Sequence, residues 1–307
     1  MIPAFLATFG FALSTVCGHR ATRLIGGIET NFWRLVVALL LLGAWAHGFG
    51  SGLAGNAFPI FIVSGFVGIG IGDVALYQAL PRLGSRLTSL LLQCLTTAFA
   101  IAIEWVWLGT RLTTAELACG AVILGGVVIA LRPRERLHFP GRLAPGLVFT
   151  TVGAFGNALG MVLSRKAYAV AAVAGQSIDG GTAAYQRVIG GLLLSGCFLL
   201  VAKRRAIANH VREPDFSAQP AGKKWRTAWL WVLANGTFGM AVGVSCVQWA
   251  LKTSPTGIVQ SVLSVTPLAV IPLARIMEGE RPSRGAWLGG IIAVGGTIAL
   301  TWFHLDR

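Results

Sequence analysis

The sequence predicts an all-α integral membrane protein: ten transmembrane helices arranged as two inverted-topology five-helix repeats. Three observations predict it. Of 307 residues, 55% are hydrophobic and only 12% charged, with a mean hydropathy of +0.72. An ordinary soluble domain carries about 25% charged residues, so this chain cannot cover a water-facing exterior. The apolar residues fall into separate runs of membrane-crossing length, and the second half of the chain repeats glycine and arginine positions of the first.

A helix needs roughly 20 mostly apolar residues to cross a bilayer. The first repeat, residues 1–131, supplies Pro3–Gly18, Thr30–Ala46, Pro59–Leu80, Leu87–Leu108 and Thr114–Leu131. The amino-terminal run has neither the basic flank nor the cleavage site of a signal peptide, so it is read as a retained first span. The second repeat, residues 143–303, supplies Leu143–Leu163, Thr182–Ala202, Ala228–Leu251, Thr256–Met277 and Arg284–Trp302. The connection 203–227 is polar and basic throughout and reads as a solvent-side loop. Trp45, Trp107, Trp225, Trp229, Trp287 and Trp302 fall near span ends, where indoles favour the interface. The five cysteines lie within or at the ends of apolar runs, with no metal-ligand or redox spacing.

The net charge of +14 is spread over short connecting segments rather than gathered on one basic face, which argues against nucleic acid. Counted by side, alternating connections carry seventeen Lys and Arg residues against five on the opposite set. The positive-inside rule then makes the basic side cytoplasmic and turns both termini outward, in a multi-pass protein of a bacterial inner (plasma) membrane.

The repeat is explicit. At an offset of 171, Gly65, Gly68, Gly72, Ala79 and Leu80 meet Gly236, Gly239, Gly243, Ala250 and Leu251. At 170, Gly109, Arg111, Gly120, Gly125 and Gly126 meet Gly279, Arg281, Gly290, Gly295 and Gly296. Arg34 meets Arg187 at 153, and Phe9-Gly10 meets Phe155-Gly156 at 146. Five spans per repeat is an odd number, so the second half enters the membrane upside-down. Inverted repeats characterise secondary transporters, whose substrates bind near the midplane between the halves.

The stretch PLAVIPLARIMEGERPSRGAWLGGIIAVGGTIAL, from Pro267 to Leu300, resembles the end of an EamA-type repeat in the drug/metabolite transporter superfamily. The resemblance rests on Pro267, the Gly279-Glu280 turn and the Gly295-Gly296 pair, with GDVALYQAL resembling the family's third span. The first repeat has Thr96 in place of Pro267 and Thr110 in place of Glu280. What the resemblance implies is a ten-helix carrier that moves small metabolites, often outward.

Polar residues inside apolar runs are the candidate site. Asp73 follows Gly68, Gly70 and Gly72, but these do not form G-x-G-x-x-G, and a carboxylate would repel a phosphate. An ionised carboxylate at membrane depth costs roughly 2.5–3.5 kcal/mol and should face the bundle interior. Two roles stay open for Asp73: contact with a cationic substrate group or a coupling proton, or a salt bridge to Arg34 or another buried arginine. Tyr77 stands one turn on, and the repeat places Val244 and Gln248 at the positions of Asp73 and Tyr77. Arg34 and Arg187 are symmetric, three residues after Asn31 and Ala184; they either hold an anionic group at the cavity or snorkel to the interface. Gln93, Thr97, Asn157 and Trp249 complete the cavity candidates, Pro267 and Pro272 are candidate breaks in span nine, and Glu104 reads as paired or solvated near a span end.

The expected function is a secondary transporter for a small organic metabolite, such as an amino acid or a similar zwitterion or cation. Its substrate-binding residues are expected to be Asp73, Tyr77, Arg34, Arg187, Gln93, Asn157, Gln248 and Trp249. No P-loop motif is present, so a proton or counter-substrate gradient is the expected drive, with no cofactor or metal. The alternative is a lipid-headgroup flippase or a membrane-embedded enzyme acting on a lipid-linked substrate, through the basic 203–227 segment. Against an enzyme stands the lack of any hydrolase or metalloprotease motif.

Overall fold

The computed structural model describes residues 2–109, 113–131, 143–212, 221–278 and 284–305. Among them every regular element is helical. The first half contains α1 (Ile2–Ile25), α2 (Gly27–Gly48), α3 (Phe58–Gly65), a π-helical segment (Phe66–Asp73), α4 (Val74–Leu108) and α5 (Thr114–Leu131). The second contains α6 (Leu143–Val173), α7 (Gly180–Arg212), α8 (Ala221–Ala234), a second π-helical segment (Asn235–Val244), α9 (Ser245–Thr253), α10 (Thr256–Leu263), α11 (Thr266–Glu278) and α12 (Arg284–Leu305).

Eight helical stretches are long and apolar enough to cross a membrane, among the described residues: Ile2–Ile25, Gly27–Gly48, Phe58–Ser85, Leu87–Leu108, Leu143–Val173, Gly180–Arg204, Trp225–Thr253 and Thr256–Met277. Each overlaps a span expected from sequence. The other two expected spans are also helical, as α5, whose apolar part is Thr114–Gly126, and α12. The expected loop 203–227 is helical on both flanks, because α7 runs on to Arg212 and α8 begins at Ala221. The segment KRRAIANHVR holds no glycine or proline and is rich in helix formers, so nothing stops the helix at the membrane surface. Residues 213–220, Thr110, Arg111 and the Gly279-Glu280 turn lie outside the described residues.

The molecule is inside-out relative to a soluble protein. Leu6, Leu40, Val106, Val148, Leu193 and Ile291 are each more than half exposed, whereas Thr30, Asn31, Gln186, Asn235 and Gln248 are fully buried. Exposed aliphatic surface on this scale belongs against lipid tails, where it carries no hydrophobic penalty.

Two local features shape the interior. Both π-helical segments are glycine-rich, and they end at Asp73 and Val244, which are partners in the sequence repeat. A side chain at Gly68 would place its Cβ 3.0 Å from Arg187, and one at Gly72 would place it 3.1 Å from the Asn157 backbone. Glycine lets the first segment lie directly on α6 and α7. Spans three and four meet at Gly84, where φ +77 and ψ 168 demand glycine. The repeat partner of Gly84 is Pro255, which precedes α10 in an extended conformation. Span nine does break, at Ser264 and Val265, between α10 and α11. Pro267 lies in the first turn of α11, where its missing N–H costs nothing, and Pro272 lies inside α11 with no interruption of the helix.

Candidate functional site

The polar interior is organised around Arg34. Its position on α2 puts Asn31 one turn earlier on the same face, and the Asn31 Oδ1 accepts from Arg34 Nε at 3.0 Å and Nη2 at 2.9 Å. Asn31 in turn donates to Ser195 Oγ of α7 at 3.1 Å. Arg34 Nη2 meets Asp73 Oδ2 at 2.6 Å, and both side chains are buried. The guanidinium also lies over the Tyr77 ring, 4.3 Å from its centroid, a favourable placement of cation on aromatic face. The Tyr77 hydroxyl bonds to the Asn235 amide, and Ser14 Oγ donates to Asn235 Oδ1 at 3.1 Å. Asn157 of α6 lines the same space as Asp73. Of the two roles open to Asp73, the pairing with Arg34 is realised.

Arg187 is placed differently. It is only 4% exposed, yet its Nε has no hydrogen-bond partner and no described carboxylate pairs with it. Asp73 acts on it through space only. The repeat explains the difference: where Arg34 has Asn31, Asp73 and Tyr77, Arg187 has Ala184, Val244 and Gln248.

These groups surround a partly enclosed cavity of about 140 Å³, lined from both halves of the chain. A single water needs roughly 10–15 Å³ on this measure, so the space suits a small organic solute. Six of the eight residues nominated from sequence line it: Asp73, Tyr77, Arg34, Arg187, Gln93 and Asn157. Gln93 accepts at 2.6 Å from Gln260 Nε2, a bond that joins α4 to α10 across the cavity wall. The rest of the wall is mostly apolar, with Phe11, Leu76, Met161 and Met240.

Gln248, Trp249 and Thr97 are not brought to the cavity. Gln248 is fully buried outside the lining with neither amide atom partnered. Trp249 is 46% exposed on the outer face. Thr97 bonds back to the Gln93 carbonyl. Sequence reasoning passed over Asn235 and Gln260. Asn235 precedes Gly236 as Ser64 precedes Gly65, so the repeat held a signal for it; Gln260 had none. Glu104 is paired, to Arg165 Nε at 3.0 Å and to the Gly257 N–H at 3.1 Å, which ties α4, α6 and α10 together. Among the described residues, no three His, Cys, Asp or Glu side chains gather where a metal ion could sit.

A helical membrane protein with a buried, charged, solute-sized cavity between its halves has the features of a multi-pass transporter. The chain belongs to the EamA-like transporter family, whose model matches residues 1–132 and 144–302. No curated protein matches it. A solved structure described as "Crystal structure of protein" is similar in fold, with a TM-score of 0.69 at 18% identity, over 100% of this chain and 98% of the other. The family is one of membrane transporters of small molecules.

Proposed function

We propose that the chain is a secondary carrier that moves a small organic solute by alternating access between two inverted five-helix repeats, residues 1–131 and 143–303. The observation that carries the reading is the cavity, because α1, α2, α4, α6, α7, α9 and α10 all contribute to its wall. A site built from both halves becomes exposed to either side when one half rocks against the other.

Paired contacts support the repeat. A Cβ on Gly65 would collide with the Arg187 carbonyl, and a Cβ on Gly236, its repeat partner, would come within 2.7 Å of the Arg34 carbonyl. The topology is supported by loops that share a face. Trp45 Nε1 donates to Asp179, Asn56 N donates to Gln176, and Lys252 donates to Ser177. These contacts put the segments after α2, α6 and α9 at one end of the bundle, as ten alternating crossings require. The basic connections then belong to the cytoplasmic face and both termini to the outer face. Drive comes from a proton or a counter-solute, and export is the direction of transport.

The test is uptake of labelled small solutes by liposomes containing only this protein. Saturable uptake of an unmodified solute, competed by excess unlabelled solute, is the expected result. Flux of no solute class, alongside scrambling of fluorescent lipids, would reject the carrier in favour of lipid translocation.

A further inference from the structure

We propose that the carried solute is a small organic monoanion, a carboxylate on an apolar body, and that Arg187 holds its negative group. The proposal rests on the carrier reading above and names the substrate class of that same cavity. It starts from a difference between two arginines that the duplicated chain places in equivalent positions. Arg34 is partnered: Asn31 accepts two of its N–H bonds, Asp73 pairs with it and Tyr77 lies beneath it. Arg187 lines the same cavity, equally buried, and the repeat positions of those three partners hold Ala184, Val244 and Gln248. A buried cation with an unmade hydrogen bond is costly unless an anion completes it. A carboxylate from solution would supply Arg187 with what Asp73 supplies to Arg34, and a guanidinium can donate to it through a two-bond fork.

Charge decides between solute classes. The ionisable side chains on the wall other than Tyr77 are Arg34, Asp73 and Arg187, a formal net charge of +1. A monoanion brings the occupied cavity to zero. A zwitterion leaves it at +1, and an amine raises it to +2, each at membrane depth where uncompensated charge is expensive. Asp73 is the one carboxylate on the wall, and it is already engaged by Arg34. The remaining wall, with Ile69, Leu92, Val247 and Leu263 among it, suits an aliphatic or aromatic body of roughly six to ten heavy atoms.

The experiment measures binding to the purified full-length chain in detergent, by thermal shift and calorimetry. Two matched solute sets are used: butyrate, butyramide, butylamine and 2-aminobutyrate, then benzoate, benzamide, benzylamine and phenylglycine. The carboxylate is expected to bind best in at least one set. Arg187→Gln is expected to weaken it by about tenfold to a hundredfold, the loss of a charge-assisted hydrogen bond, and Arg187→Lys by less. Val244→Asp, which gives Arg187 the built-in partner that Arg34 has, is expected to abolish carboxylate binding with Arg187 still in place.

Carboxylate affinity unchanged in Arg187→Gln overturns the proposal, as does a wild-type preference for the amine, amide or amino acid. If Arg187→Gln does not fold, the wild-type ranking and Val244→Asp decide. Liposome uptake separates the two readings. Saturable flux of only uncharged or cationic solutes leaves the carrier standing and sinks the anion, whereas flux of no solute at all sinks both.

Discussion

Asp73 and Arg34 show how one buried pair constrains what each partner can do. Removing one member of such a pair leaves the other charged, buried and alone, a loss of about 3–5 kcal/mol, whereas removing both is far milder. Asp73→Asn is therefore expected to lower the melting temperature more than the double variant Asp73→Asn with Arg34→Gln. Equal or greater loss in the double variant would mean that the pair contributes little and that Asp73 acts alone. The charged members of this site were legible in the sequence because a charge inside an apolar run is conspicuous whatever the fold. Asn235 and Gln260 were not, since amides are common in membrane helices and only packing sets Asn235 behind Ser14 and Tyr77 and brings Gln260 to the wall beside Gln93. Trp249 is a cavity candidate from its place in span eight, and the helix phase turns it outward.

At the scale of elements, the glycine pairs divide into packing and non-packing members. A Cβ on Gly126 would stand 2.7 Å from backbone atoms of Gly289 and Ala293 in α12, while a Cβ on Gly125 meets nothing within 4 Å. Gly126→Ala is expected to destabilise by about 1–3 kcal/mol, as overpacking does. Gly125→Ala is expected to be neutral or to stabilise by about 0.5–1 kcal/mol through helix propensity. Matching melting curves for the two variants would show that α5 does not depend on this close approach. The start of α7 is held by Asp179, whose Oδ1 accepts from the N–H groups of Gly181 at 2.9 Å and Thr182 at 3.0 Å and from Trp45. Partial burial pushes its carboxyl up, but the bonds from Thr182, Trp45 and Gly181 outweigh it and hold the group below the usual carboxylate range. A depressed value means that the cap's contribution is complete above about pH 4 and is lost as pH falls through the lowered value. Asp179→Ala is expected to cost about 0.5–2 kcal/mol at pH 7, with a difference from wild type that shrinks in melts taken below pH 4. A difference that stays constant across that range would place the effect in packing rather than in the charged cap.

For the whole molecule, the arrangement of loops is the testable quantity. In the proposed topology four crossings separate the segment 49–57 from the segment 174–179, and the two touch through Asn56 and Gln176. In a cysteine-free background, cysteines at Ser51 and Ser177 are expected to react with an impermeant maleimide from the same side of a sealed vesicle. A cysteine at Arg204, beyond one further crossing, is expected to react from the opposite side. Labelling of Ser51 and Ser177 from opposite faces would break the five-helix half and the inverted repeat with it.

Hydrophobicity alone determined that this chain lives in lipid and roughly where each helix crosses, because the bilayer acts on every residue of a span independently of the others. The duplicated glycines and arginines likewise predicted a two-part molecule before any packing was known. Only the tertiary structure decided which charges cancel. Arg34 and Arg187 are equivalent in the repeat and alike in burial, but Arg34 meets Asp73 from a separate segment, whereas Arg187 Nε has no hydrogen-bond partner. Pairing of buried charges is a property of distances between distant segments, which no local pattern encodes. That is why the sequence could point to both arginines, and why the fold was needed to show that Arg34 is the one paired with Asp73.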